Sequence, residues 1–325
     1  MDGGGTAPLV EVSDLSVKFV SREATVHAVN QVSFTARRGE VLCILGESGS
    51  GKSVTLRTLM RLLPRQAHIA GNVRVNGRDV LAMRSGELRD LRGALVAMIF
   101  QEPMTALDPV YTVGQQIGET VRRHTGCDKA AARARALELL ELVRIPSAER
   151  RLDAYPHELS GGLRQRAMIA MALSCNPQLL LADEPTTALD ATVQVQVLIL
   201  LRRLQRELGM SMIFVTHDLG VAAEIADTIA VMYAGRIVEV GPVAQVLRDP
   251  LHPYTAGLLA STVHGQDKGR DIDAIPGSPP DMRRLSPGCS FAPRCSRRTG
   301  ICLGAIPETQ FRAPDRMVAC VNPMG

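Results

Sequence analysis

The spacing Gly46-x-x-x-x-Gly51-Lys52-Ser53 constrains this chain more than any other feature. It lies between an apolar run, Val41 to Leu45, and a helix-like pattern starting at Lys52, so the local order is strand, glycine-rich turn, helix. Such a turn aims successive backbone N–H groups at an anion, at the end of the helix where the dipole is positive. Glycines are required because side chains would hold the backbone away from a phosphate. Lys52 then reaches the β- and γ-phosphates of a nucleotide and the Ser53 hydroxyl a Mg²⁺ ion. Gly46, Ser48, Gly49, Ser50, Gly51 and Val54 are the remaining candidate binding positions.

A second site follows at LLLADEPTTALD. Leu179 to Ala182 read as a buried strand that delivers Asp183 and Glu184 to its C-terminal end, where open α/β sheets bind ligands. Phosphate would repel both acids, but a Mg²⁺ ion reverses the sign, so Asp183 can help hold the metal while Glu184 positions or deprotonates a water. Two surface acids at a turn are the bland alternative, and the phosphate-loop match argues against it.

At 325 residues the chain is long for one compact domain, which suggests a large α/β unit with subdomains, or two domains. No apolar run approaches the roughly 18 residues of a membrane-spanning helix. The N-terminal MDGGGTAPLVEVSD lacks a basic region followed by an apolar one, so a cytosolic location is expected. Seven arginines against Asp281, Glu308 and Asp315 in residues 281–325 account for the whole net charge of +4. They are scattered, with only Phe291 and Phe311 as aromatics, so a solvated surface is expected there rather than a nucleic-acid or lipid face.

Between the two sites, YPHELSGGLRQRAMIAMAL contains Leu159-Ser160-Gly161-Gly162, a serine and two glycines that open an amphipathic helix. This is another anion-ready helix start. It resembles the signature motif of the ATP-binding-cassette family. The resemblance implies that Ser160, Gly161 and Gly162 grip the γ-phosphate of ATP held on a partner subunit's phosphate loop, so hydrolysis needs a dimer. The fifth signature position, often Gln in the family, is Leu163 here, which is expected to change contacts modestly. Other family elements fall in order: Gln101 in MIFQEP, Asp190 in TTALD and His217 in IFVTHDLG. Alone, Gln101 reads as a surface amide and His217 as a loop histidine. The resemblance implies that Gln101 senses Mg²⁺ and the attacking water, that His217 contacts the γ-phosphate, and that Asp190 belongs to the nucleotide site. Phe19, in SVKF, stands where the family stacks an aromatic on adenine; a core strand Phe fits the same residue.

The implied fold class is α/β: an ABC-type P-loop NTPase core with an antiparallel β subdomain, an inserted α-helical subdomain and a C-terminal cysteine-bearing appendage. Residues 1–249 are expected to form the nucleotide-binding domain, with the helical subdomain at about 102–174, and residues 250–325 the appendage. Alternating segments from Val10 onward with a turn at Asn76-Gly77, and an Ala-Gly turn before RIVEVG, read as hairpins. TVQVQV has the period of a strand, but the resemblance implies a helix there.

FQEPMTALDPVYTVGQQI and HPYTAGLL, with IPGSPPD followed by PGC and PRC, are similar to the ATPase subunits of oligopeptide, dipeptide and nickel importers. That branch implies an ATPase subunit, peripheral at the cytoplasmic face of the inner membrane, which pairs with a second copy or a paralogous ATPase subunit beneath two transmembrane permease subunits. An extracytoplasmic solute-binding protein supplies the solute, which is a di- or oligopeptide, nickel or another small solute. Cassette ATPases of DNA repair and translation carry tandem cassettes or long coiled-coil insertions. Neither occurs here, and no nucleic-acid partner is expected.

CSFAPRCSRRTGIC places Cys289, Cys295 and Cys302 in one stretch, with Cys320 beyond. Stable disulfides are disfavoured in the cytosol, where clustered cysteines are more often metal ligands. The spacing C-x5-C-x6-C-x17-C has neither the C-x2-C pairs of common zinc sites nor a ferredoxin run. Spacing therefore leaves zinc, an iron–sulfur cluster and four unligated thiols open, zinc first. The importer resemblance implies instead a [4Fe–4S] cluster on the four thiolates, its charge offset by Arg294, Arg297 and Arg298. Its role would be to tie down a proline-rich tail too poor in apolar residues to fold by burial alone.

Overall fold

The computed structural model describes residues 7–102, 106–187, 189–261 and 274–324. The chain divides into two compact units. Met1–Ala36, Glu40–Leu81 and Val215–Gly325 form the first; Arg37–Gly39 and Ala82–Phe214 form the second.

The first unit opens with the antiparallel pair β1 (Val10–Val20) and β2 (Thr25–Ala36). Val10, Val12, Leu15 and Val17 face the core, so the alternation slips by one between Val12 and Leu15. The slip is a bulge at Asp14, whose φ is 51°, against which Gly71 packs too closely for any side chain. β3 (Val41–Leu45) is buried along its whole length, as expected of a parallel strand covered on both faces. β4 (Ala67–Val75) and β5 (Arg78–Asp79) form the hairpin expected at Asn76-Gly77, with φ of 51° and 74° at the turn, and the antiparallel sheet runs β2-β1-β4-β5.

The second unit is organised around β6 (Val96–Ile99) and β7 (Leu179–Asp183), paired in parallel from Val96 opposite Leu179 to Ile99 opposite Ala182. Between them run the helices Val113–Thr125, Lys129–Leu142 and Gly161–Ala172. Each starts on a side chain, Thr112, Asp128 or Ser160, that accepts a backbone N–H of the first turn. TVQVQV lies in the helix Ala191–Glu207. The strand-like alternation ends at Val197, after which Leu198, Leu201 and Leu204 continue a buried helical face while Ile199 stays exposed. β8 (Ser211–Thr216) then carries the chain back into the first unit.

There β9 (Thr228–Tyr233) pairs in parallel with β3 and antiparallel with β10 (Arg236–Pro242), across the Ala234-Gly235 turn with φ of 47° and 76°. The C-terminal segment is continuous with this unit. β11 (Gln310–Ala313) and β12 (Arg316–Val318) extend the same sheet in the order β11-β12-β10-β9-β3. Phe291, Ala292 and Val318 are at most 3% exposed, so burial on the first unit orders the tail to a degree its composition did not suggest. The fully buried Glu239 carboxylate accepts the N–H groups of Leu251 and His252, both at 2.9 Å, and pairs with Arg316 at 3.2 Å. Among the described residues, no helix is long and apolar enough to cross a membrane.

Candidate nucleotide site and thiol cavity

In the first unit, Gly46 follows β3 directly and the helix Lys52–Thr58 begins inside the motif. The glycines are sterically required. A Cβ on Gly46 would strike the Met232 carbonyl, and one on Gly51, whose φ is 101°, the Ala28 carbonyl. Lys52 is 4% exposed, and its ammonium donates to the carbonyls of Gly46 and Glu47 at 2.8 and 2.9 Å. The loop thus curls around its own lysine, and the exposed Ser48 and Gly49 form its outer rim. Phe19 is half-buried on β1, opposite Val26 and Ala67. His217 is exposed just after β8, and Asp218 caps the next helix by accepting from Gly220 and Val221.

The second unit brings together Gln101, Asp183 and Glu184. Asp183 is fully buried at the end of β7. Glu184 has φ 46°, a left-handed backbone that a non-glycine residue adopts only under constraint, and such strain concentrates at functional sites. Its carboxylate accepts from Gln101 Nε2 at 3.4 Å and from Thr187 Oγ1 at 3.0 Å. Thr187 escaped the sequence reading; its signal is a hydroxyl three residues after an acid at a turn. Ser160 accepts from the Leu163 N–H at 3.4 Å, and Asp190 caps its own helix through the Val193 N–H at 3.0 Å. Gly162 packs so closely on Val193 that a Cβ there would overlap it, which draws the starts of these two helices together.

The four C-terminal cysteines converge. Cys289, Cys295, Cys302 and Cys320 all line one small pocket. Burial pushes the thiols of Cys289, Cys295 and Cys320 up. Backbone N–H groups oppose it: those of Phe291 and Ala292 at Cys289, of Arg297 at Cys295 and of Asn322 at Cys320. Cys302 Sγ lies 3.4 Å from both the N–H and the hydroxyl of Thr299. Arg297 and Arg298 favour the Cys295 thiolate. Arg294, expected beside them, instead pairs with Glu47 at 2.9 Å, because its guanidinium lies against Tyr233 and the Pro276 carbonyl. Among the described residues, no three His, Cys, Asp or Glu side chains gather closely enough to share one metal ion, so no metal centre stands formed.

Residues 29–187 match the family model described as ABC transporter, and residues 238–302 the one described as oligopeptide/dipeptide transporter, C-terminal region. A peptide import ATP-binding protein of Brucella melitensis is 50% identical over 313 residues, covering 92% of this chain and 93% of that protein. The oligopeptide transport ATP-binding protein OppD of Salmonella typhimurium is 48% identical over 316 residues, 97% of this chain and 94% of its own length. Among solved structures, a dimeric ATP-binding cassette in a post-hydrolysis state with ADP and phosphate is similar with a TM-score of 0.65 and 28% identity, covering 72% of this chain and 98% of that one. Fold and phosphate loop together define an ATP-hydrolysing cassette. The chain belongs to the ABC transporter ATPases, in the branch that carries the oligopeptide/dipeptide transporter C-terminal region.

Proposed function

We propose that this chain is the ATP-hydrolysing subunit that powers a membrane importer of peptides. The observation that carries the reading is similarity over nearly the whole chain, C-terminal region included, to relatives named for peptide import and oligopeptide transport. In this reading ATP is held by Gly46, Ser48, Gly49, Ser50, Gly51, Lys52, Ser53 and Val54 of one subunit, with Phe19 against the adenine. Ser160, Gly161, Gly162 and Asp190 of a second, paralogous or identical subunit close on it. Ser53, Gln101 and Asp183 serve Mg²⁺, which neutralises phosphate charge when bound; Glu184 orients and deprotonates water, and His217 steadies the γ-phosphate. Residues 1–249 form the nucleotide-binding domain and 250–325 the C-terminal region. Two transmembrane permease subunits, docked at the cytoplasmic face, and an extracytoplasmic solute-binding protein complete the importer.

Co-purification from membranes tests this. Recovery with two permease subunits and peptide uptake by the reconstituted complex is expected, whereas recovery with ribosomes or DNA, or uptake of nickel alone, overturns it. We further propose that Cys289, Cys295, Cys302 and Cys320 hold a [4Fe–4S] cluster, supported by their shared cavity and N–H donors. Anaerobic purification should yield about four iron and four sulfide per chain. Stoichiometric zinc without iron would reject the cluster.

A further inference from the structure

Phosphate binding does not require an acid at the first variable position of the phosphate loop, yet Glu47 stands there and is held on three sides. Its N–H donates to Tyr254 Oη at 3.0 Å, its carbonyl accepts from Lys52 Nζ at 2.9 Å, and its carboxylate accepts from Arg294 Nη1 at 2.9 and 3.2 Å. Two of these partners belong to the C-terminal segment.

Both are rigidly placed. The Arg294 side chain is 7% exposed, donates through Nε to the Pro276 carbonyl at 2.9 Å and reaches the Tyr233 hydroxyl at 3.3 Å. It ends the short turn Ala292–Arg294, between Cys289 and Cys295. Tyr254 is fully buried, with ring centroids 4.5 Å from Tyr233 and 5.4 Å from Phe291.

Two consequences follow for nucleotide binding. An uncompensated carboxylate at the mouth of the loop would repel the phosphates, and Arg294 cancels it. Lys52, the cation that meets those phosphates, is tethered to the Glu47 carbonyl, so whatever fixes the Glu47 peptide fixes where Lys52 waits. We propose that Arg294 and Tyr254 are positioning residues for ATP: through Glu47 they set the phosphate loop, and nucleotide affinity is thereby linked to the order of the thiol-lined C-terminal segment. The proposal rests on the reading that Gly46–Ser53 binds nucleotide. By reciprocity, bound nucleotide then protects that segment.

Equilibrium binding of Mg-ATP to the full-length, anaerobically purified chain tests it, together with hydrogen exchange over residues 288–304. Arg294→Gln should weaken ATP binding about tenfold and abolish the slowing of exchange by nucleotide, and Arg294→Lys, which keeps the charge but not the guanidinium's contacts to Pro276 and Tyr233, should recover only part of the affinity. Tyr254→Phe should weaken binding a few-fold. The double variant Glu47→Gln/Arg294→Gln should return to within about twofold of wild type, because the charge that Arg294 cancels is gone. That recovery also shows that the Arg294 change leaves the fold intact. Wild-type affinity in Arg294→Gln, or a double variant as weak as the single one, overturns the proposal while Lys52→Ala still loses binding. If Lys52→Ala bound ATP as tightly as wild type, the loop assignment itself would fall and this proposal with it.

Discussion

At the residue scale, the proposed role of Glu184 as general base rests on how its carboxylate is held. Its left-handed backbone turns the carboxylate out of the strand line, and Gln101 and Thr187 fix it without neutralising it. Glu184→Gln keeps the shape and both contacts but removes the carboxylate proposed to act as the base. It should bind ATP as wild type does and accumulate as an ATP-locked dimer on size-exclusion chromatography, with kcat lower by about 10²–10⁴-fold. A variant turning over near the wild-type rate would remove Glu184 from this role. Lys52→Ala should instead lose affinity, since the two carbonyls now gathered by the ammonium would face the phosphates unshielded. The strand–turn–helix around Gly46–Ser53 and the buried strand ending at Asp183 were legible because their pattern is set within a few residues. Arg294 was misread because its partner, Glu47, lies 247 positions away, and spacing says nothing about a contact that only the folded sheet creates.

At the scale of elements, the helix Ala191–Glu207 separates local from tertiary information. Its first turn alternates Val and Gln as a strand would, and what makes it helical is the Asp190 cap followed by a periodic buried face. Asp190→Ala removes the acceptor for the Val193 N–H, which should cost about 1 kcal/mol of local stability. Amide exchange at Val193 should quicken roughly fivefold, while amides near Leu204 stay as they were. Equal change along the helix would mean that the cap is not what holds this end. Both hairpins were legible from Asn76-Gly77 and Ala234-Gly235, because a two-residue turn with positive φ is a local demand. β11 and β12 were not. They are short, Phe311 is 74% exposed, and their order comes from β12 pairing with β10, and β11 with β12, rather than from any pattern of their own.

For the molecule as a whole, the basic C-terminal segment is better understood as a set of partners than as a charged face. Arg294 and Arg316 are buried against acids from the body of the first unit, Arg283 pairs with Asp281, and Arg297 donates to Asn322 and Pro323. The pair Glu239–Arg316 is the most enclosed of these. Both side chains are at most 7% exposed, and Arg316 also reaches the Asp249 carbonyl, so the pair ties β10, the chain before the helix Pro253–Ala260, and β12 into one structure. Removing one partner strands the other's charge in a dry site, whereas replacing both does not. Arg316→Met should therefore lower stability by about 3 kcal/mol, and Glu239→Gln/Arg316→Met should recover at least half of that, since the amide oxygen can still accept from Leu251 or His252. With no Trp in the chain, urea unfolding followed by circular dichroism is the suitable measurement. An Arg316→Met protein with the wild-type midpoint, or a double variant weaker than the single one, would show that β10 holds the C-terminal segment by backbone pairing and apolar burial alone.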